Sequence, residues 1–310
     1  MLMDISLMLL SFITLWTGAG ISVTSVEKIS RKINISSFIV SFFALGFLTS
    51  LSEISVAFFS LIDKTPEISV VNLIGFSSIL ILLVIPLLAV LNKTITFNEK
   101  AGLINFPLSF IVISLPVIFV LDRKLTTMEA FFLLLSFAFL SFTISTKNTL
   151  VGRIENAISK HNVSTYKELL KIVVGVLLIV LSSKFIVDTT ILYAGKYNLS
   201  PFVLGLVLLS FGTNLPELSI LARSTLLKKK NIALGDYLGS ATINSLILGF
   251  LTLGNGDTIN LSSGIRYNLL LLPLGAGILL YFIRNTKLER KEGLILLVVY
   301  LLFVVLEFVL

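Results

Sequence analysis

Long apolar runs, each roughly 18–25 residues, recur along the chain and set the strongest constraint on its fold. A helix of that length crosses about 30 Å of hydrocarbon, and the runs lack the alternation typical of a lipid-facing barrel strand. Because a spanning segment must satisfy its own backbone polar groups, we predict transmembrane helices. Charged residues make up only 13% of the 310 residues. Soluble domains carry about a quarter, so the composition also indicates a multi-pass membrane protein.

The runs predict an all-α membrane protein with ten transmembrane helices. The predicted helices cover residues 4–25, 36–62, 67–91, 103–121, 126–145, 168–192, 201–227, 231–254, 265–284 and 291–309. The longest polar stretch, residues 146–167, lies at the middle of the chain. We interpret it as a linker between two five-helix halves, residues 1–145 and 168–310.

Basic residues are spread unevenly over the predicted loops. The loops after helices 1, 3, 5, 7 and 9 hold 18 of the 24 lysines and arginines. The positive-inside bias therefore predicts that these loops and the linker are cytoplasmic and that both termini are extracellular in the cell membrane. The net charge of +7 is interpreted in the same way rather than as a sign of nucleic-acid binding. Lipid and inorganic cations are the expected partners, and no protein partner is indicated.

The residue types that are missing exclude several kinds of chemistry. The chain has no cysteine, which excludes disulfides and thiol reactions, and its one histidine, His161, lies in the polar linker. These facts argue against metal sites and proton relays that are built on histidine. No cofactor is expected. The first apolar run carries Asp4 and has no basic segment before it, so it is interpreted as a retained helix rather than a cleaved signal.

A repeat relates two parts of the chain at an offset of 164 residues. FLTSLSEIS at 47–55 aligns with FGTNLPELS at 211–219, and INISSFIV at 33–40 aligns with YNLSPFVL at 197–204. Unrelated apolar segments would not readily share threonine and glutamate in register. Helix 2 maps onto helix 7, five helices later, and this odd number predicts repeats of inverted topology. Secondary transporters have this architecture, with the substrate site near the midplane where the repeats meet.

Two glutamates lie at equivalent positions in the middle of predicted helices 2 and 7, Glu53 and Glu217. A carboxylate at bilayer depth costs at least a few kcal/mol and normally faces a cavity, an ion or a partner. Two that meet near a pseudo-two-fold axis repel each other unless a cation or proton lies between them. Oxygen ligands of this kind suit Ca²⁺ or Na⁺. The alternative is an interhelical salt bridge, for instance with Lys184, although Asp188 is a local partner for that lysine.

Helices 7 and 8 carry further polar signals. Pro216 removes a backbone donor, which predicts free carbonyls near Gly212 and Thr213, the kind of group that binds cations in broken transmembrane helices. A simple proline kink is the alternative. In helix 8, Ser240 and Asn244 share a face. The nearby glycines at 235 and 239 predict close helix packing, which does not explain an asparagine in an apolar run.

These motifs resemble those of the calcium:cation antiporter family, which contains the sodium/calcium exchangers. That family has ten helices, two inverted repeats, a G-(T/S)-S-x-P-E motif in helices 2 and 7, and a G-N-x-x-G-S motif in helices 3 and 8, followed four residues later by Asn or Asp. The second half of this chain resembles both motifs at 212–217 and 235–244, with mild departures at Asn214 and Asp236.

The first half departs further from the family pattern. Leu48 stands where the first motif has glycine, and Ser52 where it has proline. In helix 3, Phe76 replaces the motif serine and Leu80 replaces the polar residue that follows it. Since neither Phe76 nor Leu80 offers an oxygen to an ion, the resemblance puts the usual three-sodium coupling in doubt.

The resemblance implies a set of cation ligands. The central Ca²⁺ site would be formed by Thr49, Glu53, Thr213 and Glu217, through the carboxylates and the threonine carbonyls. A sodium site would use Ser210 and Ser240 with Thr213 and Glu217. Its symmetry mate would use Gly46, Thr49 and Glu53 but lacks the hydroxyl that Phe76 replaces. Further candidate ligands are Ser50, Asn214, Asp236 and Asn244.

The resemblance also implies a function. It predicts a secondary active transporter that exchanges Ca²⁺, or a similar divalent cation, for Na⁺ by sliding helices 1 and 6 past an eight-helix core. Both ions are transported and neither is a cofactor. Proton coupling stays open because desolvated glutamates titrate readily. A degenerate, non-transporting cation-binding protein is a second alternative. An enzyme is not predicted, since no nucleophile–base pair or metal cluster is present in the sequence.

Overall fold

The computed structural model describes residues 2–96, 105–146, 163–196, 214–261, 268–284 and 287–309. Within these ranges the chain forms ten helices, in the predicted order. They are α1 (Leu2–Ile33), α2 (Ser37–Ile62), α3 (66–92), α4 (Asn105–Phe119), α5 (Thr127–Thr146), α6 (Val163–Lys196), α7 (Leu215–Leu226), α8 (Lys230–Asn255), α9 (Asn268–Ile283) and α10 (Arg290–Val309).

Six helices are long and apolar enough to cross a membrane, and they lie in α1, α2, α3, α5, α6 and α8. Shorter apolar stretches lie in α4 and α9. Large apolar side chains remain exposed along these helices, for example Leu135, Phe139 and Phe142 on α5. A soluble protein would bury such a surface, whereas lipid tails accept it. The exposure pattern therefore agrees with a multi-pass membrane protein.

Helices α1 and α6 extend further than the apolar runs predicted. Helix α1 continues to Ile33 rather than ending at residue 25, and α6 begins at Val163 rather than at residue 168, inside the predicted linker. Ion pairs within each helix stabilise these polar turns, between Arg31 and Glu27 at 2.5 Å and between Lys171 and Glu168 at 2.8 Å. A search based on apolar runs ends a helix too early where its last turns are amphipathic.

Two short antiparallel strand pairs were not predicted. Strand β1 (Thr94–Thr96) pairs with β4 (Lys287–Glu289), and β2 (Lys124–Leu125) pairs with β3 (Ile259–Asn260). The offset of 164 residues carries β1 onto β3 and β2 onto β4, so one pair is the repeat counterpart of the other. This correspondence extends the repeat beyond the aligned helices and is consistent with the two predicted five-helix halves.

The chain divides into two compact units. The first contains Met1–Ser52 and Gly152–Asp236, and the second contains Glu53–Val151 and Tyr237–Leu310. In the first unit α1 packs closely along α6, because a Cβ atom on Gly18 would lie 2.6 Å from the carbonyl oxygen of Gly175. In the second unit Leu82 of α3 packs onto Gly275 of α9, where an added Cβ would lie 2.2 Å from Leu82 Cδ2. The approach at Gly18 requires glycine because it meets backbone, whereas at Gly275 the neighbouring atoms belong to the side chain of Leu82.

Candidate functional site

Helix α2 is interrupted at Ser50, one residue after the candidate ligand Thr49. The segment Gly46–Thr49 ends there, and a new helical segment, Leu51–Ile62, begins. Ser50 has φ −76° and ψ 5°, in the bridge region between helical and extended backbone. Its N–H and its hydroxyl both donate to the carbonyl of Gly46, at 3.3 and 2.8 Å. The Thr49 hydroxyl lies 3.4 Å from the same carbonyl oxygen, which the sequence predicts as a sodium ligand of the first repeat.

Helix α7 begins with the same backbone conformation at the repeat-equivalent position. Asn214 has φ −89° and ψ 1°, and Leu215–Leu226 follows with Pro216 in its first turn. The interruption of α2 at Ser50 and the start of α7 therefore lie at equivalent positions of the repeat, although Ser52 replaces the proline in α2. The carbonyls of Gly212 and Thr213 that Pro216 was predicted to free lie outside the described residues, as does Ser210.

Glu53 lies in the first turn of the segment that follows the interruption at Ser50, and Glu217 lies in the first turn of α7. Glu53 is 1% exposed and Glu217 is fully buried. The backbone N–H groups at a helix N-terminus stabilise a carboxylate there. Lys184, the alternative counter-ion, is exposed on α6, as is Asp188, and such a position does not suit a salt bridge to a buried carboxylate.

The start of α8 is held tightly against α2. A Cβ atom on Gly235 would lie 2.2 Å from the carbonyl oxygen of Phe38, and the Ser41 hydroxyl donates to the carbonyl of Ile232 at 2.5 Å. The prediction that Gly235 permits close packing is therefore confirmed. Ser41 opens a π-helical turn, Ser41–Leu45, a feature frequent at functional sites.

This packing brings two candidate ligands of the first unit together. The Thr49 hydroxyl lies 3.0 Å from the carbonyl oxygen of Leu45, 3.4 Å from that of Gly46 and 3.3 Å from Asp236 Oδ1, so one proton is shared among three acceptors. Asp236 is fully buried. Asp236 therefore lies beside Thr49 in the buried interior and not at a solvated end of α8.

Farther along α8, Ser240 and Asn244 are buried on successive turns. Neither Oδ1 nor Nδ2 of Asn244 has a hydrogen-bond partner within the described part of the chain. A buried amide without partners costs about 1–3 kcal/mol, so Asn244 suits a position that meets an ion or water. On α3, the equivalent Phe76 and Leu80 are both 1% exposed. They fill their positions with apolar atoms, as the sequence predicted.

Sequence reasoning missed a set of contacts that attach α7 to α1. The Arg223 guanidinium lies 5.3 Å from the centre of the Trp16 ring, and a Cβ atom on Gly20 would lie 2.8 Å from its Nε. After α7, Lys229 forms an ion pair with Glu27 of α1. The partners are about 200 residues apart in sequence, and no local pattern reveals such pairing. An arginine inside an apolar helix was the available signal.

Comparison with known proteins agrees with these features. The family profile described as sodium/calcium exchanger protein matches residues 3–146 and 167–309. An uncharacterized membrane protein of Methanocaldococcus jannaschii, MJ0091, is 25% identical over 97% of each chain. The putative antiporter CaxA of Alkalimonas amylolytica is 26% identical over 97% of each. Solved structures of the sodium-calcium exchanger NCX_Mj, one soaked with Na⁺ and Sr²⁺, cover 98% of both chains at a TM-score of 0.81 and 24% identity.

Proposed function

Because the chain belongs to the sodium/calcium exchanger protein family, we propose that it exchanges Ca²⁺, or a similar divalent cation, for Na⁺ across the cell membrane. The family consists of transporters rather than enzymes. The observation that carries the proposal is a pair of buried glutamates, Glu53 just after the interruption of α2 and Glu217 in the first turn of α7. Carboxylates in such positions need a compensating cation.

The proposed Ca²⁺ ligands are Thr49, Glu53, Thr213 and Glu217, and the proposed sodium site adds Ser210 and Ser240. The burial of Thr49, Glu53, Glu217 and Ser240 supports this assignment, and Asn214, Ser50 and Asn244 remain further candidates. Phe76 occupies the place of a sodium ligand in the first repeat. The central site and one flanking site then accommodate two sodium ions, so we expect two Na⁺ per Ca²⁺ and no net charge transfer.

Exchange would follow from competition for the same carboxylates. When neither ion is bound, the empty site carries two buried negative charges, and reorientation of the empty transporter is costly. Sliding of α1 and α6 would expose the site alternately to the two sides. The close contact between Gly18 and Gly175 supports movement of α1 and α6 together as a pair. The excess of basic residues supports cytoplasmic placement of the linker at 146–167 and extracellular termini.

Uptake of radioactive Ca²⁺ into proteoliposomes tests the proposal. An outward Na⁺ gradient should drive uptake, and Glu53→Gln or Glu217→Gln should each abolish it, because a neutral amide no longer compensates the cation. Glu289→Gln, at an exposed position in β4, is the matched control and should retain uptake.

The alternatives have distinct outcomes in the same vesicles. Uptake driven by an outward proton gradient in the absence of Na⁺ would replace sodium with protons as the coupling ion. Folded, oriented protein that takes up no Ca²⁺ under either gradient would overturn the transport proposal and favour a non-transporting cation-binding protein. Retained uptake in either glutamine variant would refute the site assignment.

A further inference from the structure

Asp236 is a third carboxylate in the apolar part of the protein. It is fully buried in α8, where Oδ1 accepts a hydrogen bond from Thr49 and Oδ2 has no hydrogen-bond partner among the described residues. No lysine or arginine of the described ranges forms an ion pair with it; the four pairs found there involve Glu27 and Glu168. A single hydrogen bond from one hydroxyl compensates only a small part of the free-energy cost of desolvating a carboxylate.

The fold itself does not require a carboxylate at this position. The offset of 164 residues places Asn72 of α3 at the position equivalent to Asp236. An amide therefore satisfies the same place in the helix, with nearly the same volume and with an oxygen that can accept a hydrogen bond. What distinguishes Asp236 from its counterpart is its capacity for negative charge.

The contact with Thr49 places that carboxylate beside a proposed Ca²⁺ ligand. Thr49 precedes Glu53 by four residues in the chain, and its hydroxyl is the group that Asp236 Oδ1 accepts from. Since Oδ2 has no partner among the described residues, a bound cation beside Thr49 would compensate the charge of Asp236. The attraction to Ca²⁺ is about twice that to Na⁺ at the same distance, since Coulomb energy scales with charge.

We propose that Asp236 is a specificity-determining residue whose charge, placed beside Thr49, raises the preference of the cation site for Ca²⁺ over Na⁺. This rests on the proposed exchange function. Asp236 also positions Thr49, because its Oδ1 is one of three acceptors of the hydroxyl and the one that comes from another helix. The charge and the acceptor are separable by substitution.

The experiment compares Ca²⁺ binding by purified full-length wild-type and Asp236→Asn protein in detergent, followed by displacement of Ca²⁺ with Na⁺. Asparagine keeps an acceptor for Thr49 and removes the charge. We expect about tenfold weaker Ca²⁺ binding. Since the loss in free energy for a monovalent ion is half as large, Na⁺ binding should weaken about threefold. The Ca²⁺/Na⁺ selectivity ratio should therefore fall about threefold.

Two further variants make the result specific. Asp257→Asn removes the same charge from an exposed position after α8 and should leave the ratio unchanged. Asp236→Ser supplies a smaller neutral acceptor, and the same fall in the ratio is expected. It replaces the asparagine variant if the latter does not give a monodisperse protein with a cooperative thermal transition.

The outcomes separate this inference from the proposed function. Wild-type protein that binds no Ca²⁺ would contradict the exchange function itself. Wild-type protein that binds and transports Ca²⁺, together with a neutral variant whose ratio stays within a factor of 1.5 of wild type as an approximate threshold, would overturn the role of Asp236 and leave exchange intact.

Discussion

Helices α3 and α8 are counterparts in the two repeats, yet they differ in what they bury. Both keep the motif glycine, at Gly75 and Gly239. Helix α8 buries Ser240 and Asn244, whereas α3 buries Phe76 and Leu80 at the same positions. From Leu80 onward α3 also forms a π-helical turn, Leu80–Val84, while Lys230–Asn255 of α8 is a continuous α-helix.

The difference shows that the two repeats have diverged in candidate ligands and, from Leu80 onward, in backbone conformation as well. In α3 the turn that begins at Leu80 carries Leu82 onto Gly275 of α9, so this helix has become a packing element. In α8, Ser245 reaches α4 by donating to the carbonyl of Val112 at 2.9 Å, and Asn244 keeps an amide without partners. Helix α3 therefore contributes mainly to packing, whereas α8 keeps the polar side chains suited to an ion, although the two helices are counterparts in the repeats.

Making α8 resemble α3 should have the largest effect. Asn244→Leu is expected to abolish Na⁺-driven Ca²⁺ uptake while leaving the thermal midpoint unchanged or higher, because leucine removes a buried, unpartnered amide. Uptake in proteoliposomes and thermal unfolding in detergent measure the two effects. The reverse change, Leu80→Asn, should lower stability by about 1–3 kcal/mol and should not restore uptake to the Asn244 variant. If the Asn244→Leu variant retained more than half of the wild-type uptake, the proposed role of Asn244 in α8 would be contradicted.

Removal of one hydroxyl from α8 should have an intermediate effect. Ser240→Ala is expected to raise the Na⁺ concentration needed for half-maximal exchange about tenfold, in line with about 1.5 kcal/mol for a lost ligand interaction. Ca²⁺ binding should change less than twofold. Ser245→Ala, which removes the bond to Val112, is the control and should lower stability by about 1 kcal/mol without altering the sodium dependence. Equal sodium dependence in the two variants would remove Ser240 from the site.

The interruption of α2 at Ser50 and the start of α7 at Asn214 sharpen the comparison from the other side, because their backbone conformations agree where α3 and α8 differ. Pro216→Ser should leave uptake within about threefold of wild type, since Ser50 adopts the same conformation as Asn214 without a proline in its segment. Total loss of uptake in a folded Pro216→Ser protein would show that the backbone conformation at the start of α7 depends on proline after all.

The sequence was most informative where a single residue carries a large energetic cost. Glu53, Glu217 and Asn244 stand out in apolar runs because burying them without compensation is costly, and the structure buries all three. The break at Ser50 was less visible, since no proline marks it and its conformation depends on bonds from Ser50 to Gly46. Contacts between distant segments escaped prediction altogether.

Tertiary contacts explain those omissions. Asp236 could be named as a candidate ligand from its motif, but its contact with Thr49 depends on how Gly235 fits against Phe38. The strand pairs are too short to show a periodic pattern in the sequence. They become recognisable only from their pairing in the structure, as between Ile95 of β1 and Leu288 of β4. The end of α1 depends likewise on amphipathic turns outside the apolar run.

The dependence of Na⁺-driven Ca²⁺ uptake on membrane potential tests most directly whether the two repeats contribute unequally. Proteoliposomes with a fixed outward Na⁺ gradient would be held at a series of K⁺ diffusion potentials set with valinomycin. If Phe76 and Leu80 have removed one sodium site, two Na⁺ exchange for each Ca²⁺, and the initial rate should not change with potential. A rate that falls when the vesicle interior is made more negative, and rises when it is made more positive, would show net outward movement of positive charge by a three-sodium cycle and would contradict the account.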